Sequence, residues 1–150
     1  MSPKFKFKFD TVLKHRKLLE DKEAKEFYKR HSKLDKETAT LNDLLNRYKD
    51  SQTELARKKE QGIDIAELKI YYTYMNALKL DIRAQRIKVK QADAKKEEQR
   101  KELVKAQKNK KVIDKLKENK INEFKEEERT QDLKTLDDIN SGIEARKRKS

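Results

Sequence analysis

The sequence predicts an all-α protein: two long helices in an antiparallel coiled-coil hairpin with a C-terminal helical overhang. Charged residues make up 46% of the 150 residues and hydrophobic residues only 33%, which is too little apolar material for a globular core of this length. Only two glycines and one proline interrupt a chain rich in strong helix formers, whereas disordered chains carry more of these breakers. Apolar residues recur every seven positions, which is typical of a narrow coiled-coil seam.

The first helix is expected from about residue 10 to 60, with Asp10 or Thr11 capping its first turn. Its companion row, four residues on from the apolar row, is mostly polar or small, which predicts a seam of modest stability. The companion row is Lys17, Ala24, His31, Thr38, Leu45 and Gln52. Before the helix, three phenylalanines alternate with lysine, and we expect them to fold onto the second helix as a hydrophobic staple rather than to anchor at a membrane surface. The apolar row of the first helix, against which the companion row is counted, is Leu13, Phe27, Leu34, Leu41, Tyr48 and Leu55.

A turn is predicted at residues 61–63, because Gly62 can adopt the left-handed conformation that ends a helix, and Asp64 can cap the next one. The second helix is expected over about residues 64–140. We expect Ser141 and Gly142 to stop it, which leaves a basic tail at 141–150, and we expect residues 1–150 to form a single coiled-coil domain. The predicted seam of this helix is nearly all polar between residues 94 and 101. Its apolar members include Leu68, Tyr71, Met75, Leu78, Ile82, Val89, Ala92, Leu103, Ala106, Ile113 and Leu116.

The two predicted helices differ in length. Since a helix rises about 1.5 Å per residue, residues near 10 should face residues near 115. Roughly the last 25 helical residues would then have no partner within the chain. This overhang carries Phe124, Leu133, Leu136 and Ile139 along one side, which predicts a surface for another protein.

The net charge of +13 is concentrated in one stretch, since residues 83–120 hold 15 basic and 6 acidic side chains. Such a stretch is either a solvated face or a surface that docks against acidic groups. Nucleic acid is disfavoured as a partner, because no aromatic residue lies between Tyr74 and Phe124 to stack on bases.

Several functional classes are excluded by composition. The chain has no cysteine, its two histidines lie sixteen residues apart on one predicted helix, and two glycines cannot build a glycine-rich phosphate loop. We therefore expect no enzyme activity, no catalytic, cofactor-binding or metal site, and no small-molecule substrate. No apolar run approaches the roughly 20 residues of a membrane span, and no secretory signal is predicted.

A tyrosine cluster follows the turn. Tyr71 shares a helix face with Met75 and Leu78 and is expected in the seam. Tyr72 and Tyr74 cannot both point inward with it, so at least one exposed aromatic residue is predicted near the turn. Exposed tyrosine is a common anchor in protein interfaces.

These residues together resemble the FliJ family of flagellar export proteins over nearly the whole chain. The resemblance rests on Phe5, Phe7 and Phe9 followed by Val12, Leu13 and Arg16, on Gly62 and Ile63, and on Tyr71, Tyr74 and Leu78 after the turn. It implies a coiled coil like that of the rotary ATP synthase γ subunit. It also implies a cytoplasmic stalk that promotes assembly of the export ATPase hexamer, contacts the cytoplasmic domain of the export gate and binds export chaperones. The protein would lie on the cytoplasmic face of the inner membrane at the flagellar basal body, held there only through its partners.

The resemblance also implies site residues. The export-gate patch near the turn would comprise Leu44, Tyr48, Tyr71, Tyr74 and Leu78. Docking to the ATPase ring would use Arg83, Arg86, Lys88, Lys90, Arg100, Lys101, Lys105, Phe124, Leu133 and Leu136. Two other functions fit the pattern: the stalk of a virulence type III secretion system, and a basic coiled-coil protein that binds nucleic acid.

Overall fold

A computed structural model describes residues 4–149, which form two α-helices, α1 (Asp10–Gln61) and α2 (Ile65–Lys149). The helices pack against each other as an all-α hairpin, with no strand among the described residues, as the sequence predicts. Their contacts group into two compact units: a turn unit of residues 21–105, and a terminal unit made of the described parts of 1–20 and 106–150. The single-domain assignment stays a prediction, and it includes residues 1–3 and 150, which lie outside the described part of the chain.

The turn unit contains the reversal of the chain. Gly62 follows the end of α1 with a φ of 93°, the left-handed conformation predicted for it. Its N–H donates to the carbonyl oxygen of Lys59 at 3.4 Å. At the start of α2 the Asp64 carboxylate accepts a bond from the N–H of Ala66 at 3.5 Å, so Asp64 caps the helix as predicted.

The apolar seam of the turn unit is narrow. Its buried apolar residues are Leu55 on α1 and Met75, Leu78 and Ala92 on α2. The α2 rows follow the predicted heptad spacing, because Met75 lies in one row and Leu78 and Ala92 lie in the other. Because so few apolar residues are buried between the two helices, polar residues must fill the remaining positions of the seam.

Two glutamine–glutamate layers fill those positions. Gln85 Nε2 donates to the carbonyl oxygen of Glu37 at 2.9 Å and to its carboxylate at 2.5 Å. Gln99 Nε2 donates to the carbonyl oxygen of Glu23 at 3.1 Å and also to its carboxylate. The two layers lie two heptads apart on both helices. Both glutamines are buried, and Gln99 occupies the stretch between residues 94 and 101 that the sequence showed as polar.

The companion row of α1 differs from the prediction at its ends: Lys17 and Gln52 are exposed, whereas Ala24, His31, Thr38 and Leu45 are half-buried. A further row, three positions beyond the apolar row, is half-buried or buried at every member. This row is mostly polar and reaches α2 through hydrogen bonds; for example, Arg30 Nη1 donates to the carbonyl oxygen of Lys95 at 2.9 Å. Hydropathy spacing could not identify it. Its members are Arg16, Glu23, Arg30, Glu37, Leu44, Ser51 and Lys58.

In the terminal unit the start of α1 and the N-terminal segment pack on α2. Asp10 forms an ion pair with Lys117 at 3.6 Å, which confirms that residues near 10 face residues near 115. Arg16 Nη1 donates to the carbonyl oxygen of Asn109 at 2.6 Å. The rings of Phe5 and Phe124 lie 5.6 Å apart, so the N-terminal phenylalanine segment folds onto α2 as predicted.

Helix α2 does not stop at Ser141 and Gly142 but continues to Lys149, so the predicted end near residue 140 and the tail at 141–150 are wrong over the described residues. A glycine inside a helix costs only about 1 kcal/mol, and Gly142 does not adopt a positive φ. The four basic residues of the last turn, Arg146 to Lys149, also interact favourably with the helix dipole.

We expect Gln99→Ala to lower the free energy of unfolding by about 1–3 kcal/mol, because it leaves the Glu23 carboxylate at the seam without its donor. Gln107→Ala is the matched control, since Gln107 lies on the exposed side of the same helix. Urea unfolding followed by far-UV circular dichroism measures both variants. Equal stability of the two would contradict the assigned role of the buried layer.

Candidate interaction surfaces

Two lysines hold the tyrosine cluster at the turn. Lys58 Nζ donates to the Glu67 carboxylate at 2.5 Å and lies 5.2 Å from the ring centre of Tyr71. The hydrogen bond that Lys58 donates to Glu67 raises the pKa of Lys58 above its ordinary value. Lys59 Nζ donates to the hydroxyl oxygen of Tyr72 at 2.8 Å. Tyr71 and Tyr72 therefore brace the turn through contacts with the end of α1.

Tyr74 differs from its neighbours. Tyr72 and Tyr74 are both exposed, at 44% and 47%, but Tyr74 makes no ring contact or cation–π contact with any other residue of 4–149. This confirms the prediction that at least one tyrosine of the cluster is exposed, and it leaves Tyr74 available as an anchor for another protein.

The other residues of the predicted export-gate patch lie in the seam. Leu78 is only 4% exposed, and Leu44, Tyr48 and Tyr71 are half-buried. Leu78 falls on the same heptad row as the buried Gln85, so its side chain points at α1. A substitution of Leu78 would act on the stability of the hairpin. The patch stays a prediction, with Tyr74 as its one member classed as exposed.

The predicted basic docking stretch is solvent-exposed. Arg83, Arg86, Lys88, Lys90, Arg100, Lys101 and Lys105 are all exposed. Arg100 forms an ion pair with Glu97 at 2.7 Å, which lowers the pKa of the Glu97 carboxyl and raises that of the guanidinium. The surface can therefore meet an acidic partner, although part of its charge is already balanced locally.

The predicted overhang is confirmed with one correction. Every residue from 131 to 149 is exposed, and Leu133 and Leu136 are 56% and 54% exposed. Phe124, by contrast, is half-buried against Phe5 and already has a partner within the chain. The prediction that Phe124 belongs to the overhang is wrong because the sequence alone does not show where the N-terminal segment ends on α2.

One surface was not predicted. Ile70, Leu80 and Ile87 on α2 are exposed, although they lie in the same part of the helix as the seam. The signal was present in the sequence as heptad spacing from Thr73 to Leu80 and Ile87, but the stronger seam rows concealed it.

No group of three or more histidine, cysteine, aspartate or glutamate side chains within residues 4–149 is placed to hold a metal ion. In the same range, neither helix has a stretch long and apolar enough to cross a membrane.

The fold and these surfaces define a helical-hairpin coiled-coil protein whose candidate sites are exposed side-chain stripes. The family model described as "Flagellar FliJ protein" matches residues 5–149, and the chain belongs to this family. No curated protein and no solved structure matches the chain. Family membership supports a role in flagellar protein export by type III secretion, and members of the family are non-catalytic components of the export apparatus.

We expect Phe124→Ala to release the N-terminal segment, because it removes an aromatic contact of about 0.5–1.5 kcal/mol with Phe5. Trypsin should then cleave after Lys6 and Lys8 several-fold faster. Leu136→Ala is the control, since it alters an exposed residue of the same helix. Unchanged cleavage in Phe124→Ala would contradict the docking of this segment.

Proposed function

We propose that this protein is a γ-like central stalk of the flagellar export machinery. It promotes assembly of the export ATPase hexamer, couples the ring to the cytoplasmic domain of the export gate and binds export chaperones. It acts in the cytoplasm on the inner-membrane face of the basal body, where its partners hold it. Family membership supports the flagellar setting, and exposed side chains support the contacts with partners.

The exposed overhang is the observation that carries the proposal. Leu133, Leu136 and Ile139 recur every three residues on a helical segment that has no cover from α1. Full burial of each such side chain is worth about 1.5–3 kcal/mol, so a protein that encloses this segment gains a substantial part of its binding energy there. The central hole of an ATPase ring is an enclosing site of this kind.

Charge supports the same docking. The excess of basic residues over 83–120 creates a field that attracts acidic surfaces and speeds encounter with them. A ring lined with carboxylates would guide this stretch, while the apolar overhang supplies affinity at close range.

We expect the double variant Leu133→Gln with Leu136→Gln to stimulate ATPase ring formation less well. The concentration of this protein that half-maximal ring formation requires should rise at least about tenfold. Leu18→Gln is the matched control, because Leu18 is an exposed leucine on α1. Sedimentation of the purified ATPase with ATP and each variant measures the ring. Full stimulation by the double variant would exclude the overhang as the ring contact.

We expect Tyr74→Ala to weaken binding to the purified gate domain about tenfold or more, as loss of an aromatic anchor does. Tyr28→Ala serves as control, since Tyr28 is an exposed tyrosine on α1. Calorimetry gives both affinities, and circular dichroism checks that helicity is retained. If the two variants bind the gate domain equally well, Tyr74 is not the anchor.

A further inference from the structure

Helix α2 carries a second apolar stripe in the turn unit, separate from its seam with α1. Three large apolar side chains dominate it: Ile70, Leu80 and Ile87, which are 69%, 64% and 56% exposed. Exposed small residues occupy the positions between them. We call this set the outer stripe: Ile70, Thr73, Ala77, Leu80, Ala84 and Ile87.

The outer stripe has the spacing of a coiled-coil seam. Its members follow one another at intervals of three and four residues, which places them in two parallel rows. Ala77 and Leu80 each lie two residues beyond a buried seam residue, Met75 and Leu78. Two residues correspond to about 200° around a helix, so the outer stripe lies on the side of α2 that faces away from α1.

The small residues indicate what kind of surface fits the stripe. Single exposed apolar residues are ordinary, but a row of them at seam spacing is the pattern of a helix-packing face. Thr73, Ala77 and Ala84 lie between the large side chains and allow a second helix to approach closely. Surface-bound membrane helices instead use tryptophan, phenylalanine and leucine, and the stripe has no aromatic member.

Charge along the edge of the stripe selects the partner. Lys69, Arg83 and Lys90 follow one edge at heptad-related spacing and are exposed. None of the three forms an ion pair with another residue of 4–149. The opposite edge is mixed, with Glu67, Tyr74, Asp81 and Lys88 at heptad spacing. In a coiled coil, residues at such edges choose the partner by opposite charge.

We propose that the outer stripe docks an amphipathic helix of another protein, which places leucine or isoleucine against the stripe and carboxylates against Lys69, Arg83 and Lys90. Hairpin and docked helix would then form a three-helix arrangement in which α2 is the shared member. This contact does not use the overhang, but it shares Arg83 and Lys90 with the basic stretch proposed for ring docking, and Tyr74 lies on its opposite edge.

The test uses the full chain and two synthetic helical peptides of three heptads. Both peptides have leucine and isoleucine at the seam positions and glutamine along the edge that faces Glu67 and Asp81. Along the edge that faces Lys69, Arg83 and Lys90, one peptide has glutamate and the other has lysine. In fluorescence anisotropy the glutamate peptide should bind at least about tenfold more tightly than the lysine peptide. Arg83→Glu with Lys90→Glu should reverse that preference.

Variants of the stripe complete the test. Leu80→Gln with Ile87→Gln should weaken binding of the glutamate peptide at least about tenfold. Circular dichroism checks the fold, which we expect to be retained because both side chains are exposed. Val112→Gln is the matched control, an exposed apolar residue of α2 outside the stripe, and it should bind as the unaltered chain does.

Three results would overturn the proposal: no binding of the glutamate peptide, equal binding of both peptides, or binding that Leu80→Gln with Ile87→Gln leaves unchanged. Vesicles of phosphatidylglycerol and phosphatidylcholine provide a further arm. Stripe-dependent binding to vesicles without peptide binding would assign the face to lipid and also overturn it. Leu80→Gln with Ile87→Gln leaves the overhang, Tyr74 and the basic residues unaltered, and the overhang and Tyr74 variants leave Leu80 and Ile87 unaltered. Either proposal can therefore fail alone.

Discussion

The register between the two helices is the constraint on which the structure depends. The buried apolar residues are few, so apolar contact alone would tolerate a shift of one heptad. Such a shift would place Gln85 opposite Arg30 or Leu44 instead of Glu37. Either neighbour would still present a backbone carbonyl oxygen but would remove the carboxylate that accepts the second hydrogen bond, and an unsatisfied buried polar group costs about 1–3 kcal/mol. Because Gln99 repeats the arrangement with Glu23, a shifted hairpin would lose both layers together.

The overhang follows from unequal helix lengths once the ends of the helices are paired. In the terminal unit, Asp10 at the start of α1 already contacts Lys117, and Phe5 of the preceding segment reaches Phe124. Beyond that point, every side chain from 131 to 149 is exposed. The phenylalanine segment thus lengthens the covered part of α2 by about two turns and fixes where the exposed part begins.

Large apolar residues and helix-breaking residues in the sequence were enough to predict two helices, a turn at Gly62, the heptad rows of the α2 seam and the exposed overhang. The sequence did not reveal the polar row of α1, because the participation of Glu23 or Arg30 in a seam depends on a partner across the interface. Leu78 shows a second limit, since a leucine beside exposed tyrosines looks the same whether it binds a partner or lies in the seam. Gly142 shows a third: strong helix formers follow it from Glu144 to Lys149 and outweigh one glycine, and the residue type at a single position does not report that balance.

Exposed apolar stripes and an excess of lysine and arginine are physically linked in this chain. A helix with Ile70, Leu80 and Ile87 on one side and a seam on the other would associate non-specifically if its remaining surface were neutral. A net charge of +13 makes two copies repel each other while leaving each free to approach an acidic partner. The same charge that opposes self-association therefore favours partners whose helices carry carboxylates beside their apolar rows. Specificity then comes from the order of charge along the edge of each stripe, because the apolar residues themselves would accept any helix of suitable spacing.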